Sequence, residues 1–234
     1  MKEIQILGLQ RSGTNFLQRL IMDNYSIDCT GDYFLLWKHV YNPLTTMKHH
    51  GQSYRNLVRH NLKFMKYHGF RTALVTKNPY FWLESVKRNP VDADDLDWSM
   101  FRPDENTEDK VKLGFLGNMD LKKVCKIWVD FHEYWIENSF DSLVKVRYED
   151  LLKDSVECLN TINQHLKLNE DVTLTKENIL IPQKVPQSSG FDPSRISRSI
   201  EQKDPKITSR EAEVMSSVLS SRVLEYYNYS ILTI

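Results

Sequence analysis

Apolar residues along the chain follow two periodicities, and their order predicts an α/β fold. Short, mostly apolar runs, which are typical of buried strands, occupy residues 3–9, 72–77 and 143–147, and residues 26–30 are suited to a short further strand. Between these runs the apolar positions recur every three or four residues, as in amphipathic helices. Because strands that alternate with helices form βαβ units, we predict a three-layer sandwich with a mostly parallel central sheet.

Capping signals indicate where several helices begin. They occur at Asn78–Pro79, Asp154–Glu157 and Thr208–Glu211, the last opening a helix that is expected to continue through Val223. A long amphipathic helix is predicted between Leu121 and Trp135.

The length of 234 residues predicts a single domain over residues 1–234. Two polar segments interrupt its regular pattern. Residues 91–113 are acidic and predict a solvated loop, with a mobile lid over the substrate as the alternative. Residues 182–206 contain four prolines and predict a long irregular loop of the kind that often carries function.

Composition narrows the possible functions. The 31 Lys and Arg residues balance the 31 Asp and Glu residues. The sequence therefore lacks the excess of positive charge that is typical of nucleic-acid-binding proteins, and we expect no nucleic-acid partner. Cys29, Cys125 and Cys158 are far apart, and the histidines show no ligand spacing, so we expect free thiols and no metal site. No apolar window approaches the ~18 residues of a membrane span, and we expect a cytoplasmic protein.

The first candidate motif follows the first strand, in the segment Gln10–Phe16. Backbone N–H groups at such a turn converge on one point, and the start of the next helix adds positive potential, which suits a phosphate-like anion. Arg11 adds a full charge, and Ser12, Thr14 and Asn15 add side-chain donors around Gly13. The segment is not a Walker A loop, because Thr14 stands where that loop requires Lys.

This motif resembles the 5′-phosphosulfate loop of sulfotransferases that use 3′-phosphoadenosine 5′-phosphosulfate (PAPS), where [KR]SGT[TN] follows the first strand. The resemblance implies a P-loop NTPase-like fold.

The family's 3′-phosphate site begins with RNP and has Ser eight positions after the Arg. Lys77-Asn78-Pro79 and Ser85 keep that spacing with Lys in place of Arg. A third segment, Tyr148-Glu149-Asp150-Leu151, is similar to the family's YEDL, which implies that Tyr148 lies near the nucleotide.

The resemblance also implies the remaining roles. Arg11 would stabilise the leaving phosphate, and either Arg195 or Arg198 would contact the 3′-phosphate. The base that takes the acceptor proton is expected to be His39, with Asp32 as the alternative, and Lys38 would assist with the sulfonate charge.

We therefore expect transfer of a sulfuryl group from PAPS to an acceptor hydroxyl, with release of 3′,5′-ADP and no metal. Tyr80 and Trp82 resemble residues of carbohydrate-type members, which favours a saccharide or glycan acceptor. A P-loop-type kinase and a non-catalytic nucleotide-binding protein are the alternatives. The protein is expected to be a monomer or a homodimer.

Overall fold

The strands and helices come from a computed structural model, which describes residues 3–30, 48–49, 52–53, 63–88, 98–181 and 204–232. The strands in these residues are β1 (Glu3–Gly8), β2 (Asp28–Thr30), β3 (Lys48–His49), β4 (Gln52–Ser53), β5 (Thr72–Thr76), β6 (Lys110–Leu113), β7 (Gly117–Asp120) and β8 (Leu143–Arg147). The α-helices are α1 (Thr14–Tyr25), α2 (Pro79–Arg88), α3 (Leu121–Glu137), α4 (Tyr148–Lys153), α5 (Ser155–Leu166), α6 (Ser209–Val218) and α7 (Ser221–Tyr226). Residues 63–67 are also helical.

The chain divides into two compact units. The sheet unit comprises Met1–Val40, Asn61–Lys77 and Phe140–Asp204. The helical unit comprises Tyr41–His60, Asn78–Ser139 and Pro205–Ile234. The single domain over residues 1–234 stays a prediction.

A four-stranded parallel sheet, in the order β2-β1-β5-β8, forms the centre of the sheet unit. Its register places Gly8 beside Val75 and Thr76 beside Arg147. Every residue of β5 is buried, as expected for a strand in the middle of a parallel sheet. The α/β class and the parallel sheet are therefore confirmed, whereas the P-loop NTPase-like identity stays a prediction.

Helices α1 and α5 provide the apolar residues that cover this sheet. Their buried side chains form one cluster with those of β1, β5 and β8, and full burial of an aliphatic or aromatic side chain contributes about 1.5–3 kcal/mol. The Tyr25 hydroxyl donates a hydrogen bond to the Leu159 carbonyl at 2.9 Å and so links the two helices. The helical members of the cluster include Phe16, Leu17, Leu20, Ile21, Tyr25, Leu159, Ile162 and Leu166.

The predicted helix starts are confirmed by hydrogen bonds. The side chains of Asn78, Asp154 and Thr208 accept backbone N–H bonds from the first turns of α2, α5 and α6, at 3.0–3.1 Å. In α6 the Glu211 carboxylate also accepts the Thr208 N–H at 2.7 Å, which completes a capping box. Each cap typically contributes about 1 kcal/mol to stability.

The predicted last helix is interrupted. It ends at Val218 because Leu219 and Ser220 adopt extended backbone, with ψ of 129° and 124°. The Ser220 carbonyl then accepts the N–H groups of Val223 and Leu224 and starts α7. The expectation of one continuous helix through Val223 is therefore wrong.

The predicted loop over residues 91–113 is wrong at its C-terminal end. Lys110–Leu113 forms β6, which pairs antiparallel with β7. Val111 and Leu113 are buried while the alternating lysines are exposed. Residues 91–97 lie outside the described residues, as do residues 182–203 of the predicted irregular segment.

The three cysteines are free thiols. Burial raises the pKa of Cys29 and of Cys158 to about 12, so both thiols stay protonated at neutral pH. Among the described helices, none has the length and apolar character to cross a membrane.

His132 lies fully buried in the aromatic core of the helical unit, on α3. Its ring lies 4.0 Å from the Trp128 ring and 5.0 Å from the Tyr227 ring, measured between centroids. Nδ1 lies 2.6 Å from the Trp128 carbonyl oxygen, to which it donates. Burial lowers the pKa of His132 to about 3, so the folded protein holds a neutral imidazole.

This burial predicts a pH-dependent stability. Below pH ~6.5 an unfolded histidine takes up a proton, whereas folded His132 does not until about pH 3. The free energy of unfolding should therefore fall with decreasing pH by about 1.4 kcal/mol per unit for this group alone. His132→Asn keeps an N–H donor near Nδ1 and should flatten the profile in urea titrations between pH 7 and pH 4.5. The exposed His165→Asn is the control, and an unchanged slope in His132→Asn would contradict the assignment.

Candidate functional site

Three of the predicted motifs lie at the carboxyl edge of the parallel sheet. Arg11 lies three residues after β1, Lys77 directly follows β5 and Tyr148 directly follows β8. Because β5 pairs with both β1 and β8, these three chain ends are neighbours, with adjacent strands ~4.8 Å apart. The sheet unit therefore brings together residues that are 137 positions apart in the chain.

The turn after β1 is held by one carbonyl group. The Ser12 N–H and hydroxyl both donate to the Leu9 carbonyl, at 3.1 and 2.5 Å. Arg11 has φ of 70° and Gly13 has φ of 99°, so two positions of the turn lie in the left-handed region. This conformation costs a non-glycine residue about 1 kcal/mol. The turn thus holds Arg11 in a strained conformation at an exposed position.

The side chains of Ser12 and Thr14 pack over Gly8 and are themselves buried. A Cβ atom at Gly8 would lie 2.7 Å from the Ser12 hydroxyl oxygen and 2.7 Å from the Val75 carbonyl oxygen. These two hydroxyl-bearing side chains therefore hold the turn against the sheet. Their predicted contact with an anion stays a prediction, as does that of exposed Asn15.

The Tyr148 ring connects the turn to the end of β5. A Cβ atom at Gly13 would collide with Tyr148 Cδ2, so the ring packs directly on the glycine backbone. Lys77 Nζ lies 5.0 Å from the centroid of the same ring, a cation–π contact, which typically contributes about 0.5–1 kcal/mol at a partly exposed site. The Phe16 ring also meets the Tyr148 ring edge-on, at 6.4 Å between centroids.

The electrostatic character of this edge is mixed, with positive groups at the turn. The first turn of α1 contains no acidic residue, so the partial positive charge of its N-terminus adds to that of Arg11 and Lys77. Two carboxylates follow Tyr148 at the start of α4. One of them, Asp150, lies 3.7 Å from Arg147 Nε and forms an ion pair with it.

Ser85, predicted to share the 3′-phosphate with Lys77, belongs to the helical unit. Its hydroxyl donates to the Phe81 carbonyl at 2.9 Å within α2. Tyr80 and Trp82, on the same helix, are each 1% exposed, and the Tyr80 hydroxyl accepts the Leu232 N–H at 3.1 Å. These two aromatic residues are therefore core residues and provide no contact surface for a saccharide.

Five predicted site residues fall outside the described residues. They are Asp32, Lys38, His39, Arg195 and Arg198, and their assignments stay predictions.

Comparison with known proteins does not assign the chain to a family. No family model matches the chain, and neither the curated proteins nor the solved structures contain a match. In the part of the chain that the structure describes, no group of three or more His, Cys, Asp or Glu side chains is arranged to hold a metal ion.

Sequence reasoning missed two contacts that shape this edge. The close approach at Gly8 had a local signal, because a glycine that ends a buried strand before a turn often marks close backbone packing. The contact of Tyr148 with Gly13 depends on strand order, and no local pattern contains that information.

These contacts predict unequal costs for two glycine substitutions in the sheet unit. Gly69 has φ of 61° and open space where an added methyl group would lie, so Gly69→Ala should cost only the backbone strain, about 1 kcal/mol. Gly13→Ala should cost about 1–3 kcal/mol more, because the new methyl group would collide with Tyr148. Urea denaturation measures both values, and Tyr148→Ala should remove most of the difference. Equal losses for the two glycines would contradict the packing described here.

Proposed function

We propose that this protein is a PAPS-dependent sulfotransferase, which moves a sulfuryl group to an acceptor hydroxyl and releases 3′,5′-ADP; with Tyr80 and Trp82 buried, the described residues give no contact that favours a saccharide acceptor. The proposal includes a P-loop NTPase-like, three-layer arrangement of the fold. Its main support is that Arg11, in the turn that opens α1, and Lys77 follow two neighbouring strands of the parallel sheet, β1 and β5. The donor would supply the sulfuryl group and the leaving nucleotide.

Arg11 is assigned to the charge that develops on the leaving phosphate. A guanidinium group can donate two parallel hydrogen bonds to a phosphate or sulfonate, and the left-handed turn keeps this one exposed at the sheet edge. Electrostatic stabilisation of developing charge is commonly the largest contribution of a transferase site.

Lys77 is assigned to a phosphate at the other end of the nucleotide. An ammonium group is a mobile point charge without the planar geometry of a guanidinium group. Its contact with the Tyr148 ring, at 5.0 Å, restricts that freedom. Tyr148 therefore acts as a positioning residue for Lys77 in this proposal.

A kinase of the same fold has less support. Thr14 occupies the position where a Walker A loop carries its phosphate-binding Lys. Its side chain is 3% exposed and packs over Gly8.

The proposal predicts that the protein binds 3′,5′-ADP in the absence of metal, as calorimetry would measure. Arg11→Ala should weaken binding at least tenfold and abolish transfer. Arg11→Gly should do the same while unfolding at higher urea concentration than Arg11→Ala, because glycine adopts the left-handed turn with less strain, by about 1 kcal/mol. The matched control is Arg71→Ala, which removes a cation at the opposite end of β5 and should leave the affinity unchanged.

Two outcomes would contradict the proposal. Absence of 3′,5′-ADP binding by the wild-type protein would favour a non-catalytic role or a different ligand. Near-normal transfer by a folded Arg11→Ala variant would remove Arg11 from its assigned role.

A second prediction concerns the base. His39→Ala should collapse turnover and leave 3′,5′-ADP affinity almost unchanged, because a general base contacts the acceptor hydroxyl and not the nucleotide. Asp32→Ala, assayed in parallel, should retain turnover. The reverse pattern in single-turnover assays would assign the base to Asp32.

A further inference from the structure

The net charge of zero conceals a strong segregation of charge along the chain. No Asp or Glu occurs in the 51 residues between Asp32 and Glu84, where a uniform spread would place about seven. Five of the seven histidines fall in the same stretch. The cations in it are Lys38, Lys48, Arg55, Arg59, Lys63, Lys66, Arg71 and Lys77.

One described part of this stretch presents a basic and aromatic surface. Residues 63–67 are helical, so Lys63 and Lys66 lie one turn apart on the same side. Both lysines are exposed, together with His68, and Tyr67 is 86% exposed. We call residues 63–68 the basic platform.

The aromatic side chains of the basic platform differ in their accessibility. Phe64 is 38% exposed and its ring lies 4.2 Å from the His68 ring and 6.0 Å from that of buried Phe70, measured between centroids. Tyr67 touches the edge of His68, at 5.0 Å and 84° between the rings. The basic platform therefore offers one widely exposed aromatic side chain, Tyr67, in the same short segment as two exposed lysines.

These features favour a saccharide over other anionic polymers. Single-stranded nucleic acids are bound on several aromatic faces that stack successive bases, and membrane-surface segments insert a broad apolar face. The basic platform has one exposed ring and two lysines. The ring can stack on the face of one pyranose, and the lysines can pair with its carboxylate or sulfate substituents. Carboxylate residues also occur at this end of the sheet unit, namely Glu3 in β1 and Asp141 before β8, and both strands pair with β5. The stretch of surface without carboxylates is therefore limited to the basic platform.

We infer that the basic platform binds an acidic polysaccharide. It lies before β5, at the amino edge of the sheet, and so is distinct from the carboxyl-edge turn and from Lys77. Binding there requires neither PAPS nor transfer activity, and the inference therefore stands independently of the proposed function.

The test measures binding of the full chain to a heparin-derived oligosaccharide by calorimetry or fluorescence titration, at low and at physiological NaCl concentration. Lys63→Glu combined with Lys66→Glu should weaken binding at least tenfold, and the wild-type affinity should fall with salt. Tyr67→Ala should weaken it severalfold, whereas Tyr67→Phe, which keeps the ring, should not. The control is Lys153→Glu with Lys176→Glu, which makes the same change in net charge at two other exposed lysines of the sheet unit.

Several outcomes would overturn the inference. They are no binding by the wild-type protein, an equal loss in the control variant, or unchanged affinity in both Tyr67→Ala and the platform charge reversal. A single-stranded oligonucleotide or an anionic vesicle that binds more tightly than the oligosaccharide would replace the saccharide with that partner. Intact 3′,5′-ADP binding in the platform variants would separate this result from a failure of the proposed function.

Discussion

Strand β5 pairs with β1 on one side and β8 on the other, and the candidate site depends on that pairing. A parallel sheet directs the carboxyl ends of its strands to one edge, where open α/β folds bind their ligands. The order β1-β5-β8 therefore brings Arg11, Lys77 and Tyr148 to the same edge, although they come from three distant parts of the chain. Any strand order that separated β5 from β1 would place Arg11 and Lys77 at separate points of the edge.

Within that edge the Tyr148 ring restricts the position of Lys77, whose ammonium group lacks the planar geometry of an arginine. The ring packs on Gly13 and carries Lys77 at 5.0 Å from its centroid, so the turn and the ammonium group share one support. A bulkier residue at position 13 would displace the ring, and loss of the ring would remove the cation–π contact of Lys77. The left-handed conformation of Arg11 fits the same arrangement, because strained backbone persists only where the surrounding packing determines it.

The sequence predicted those parts of the fold whose signals are local. The buried runs became β1, β5 and β8, and the capping residues mark helix starts, because both depend on neighbours within a few positions. The alternation of exposed Lys110 and Lys112 with buried Val111 and Leu113 was also a local strand signal, but the acidic residues before it obscured the hairpin. Strand order and the contact of Tyr148 with Gly13 were beyond prediction from one sequence, since they are set by tertiary packing alone.

The segregation of charge shows why a net charge is a weak guide to partners. Screening limits each exposed charge to ~8 Å in physiological salt, so a ligand responds to the local surface and not to the sum over the chain. In this protein the balance of 31 cations against 31 anions is reached by placing the carboxylates outside residues 33–83. The argument that neutrality disfavours polyanionic partners therefore applies to the chain average and does not extend to the exposed face around Lys63 and Lys66.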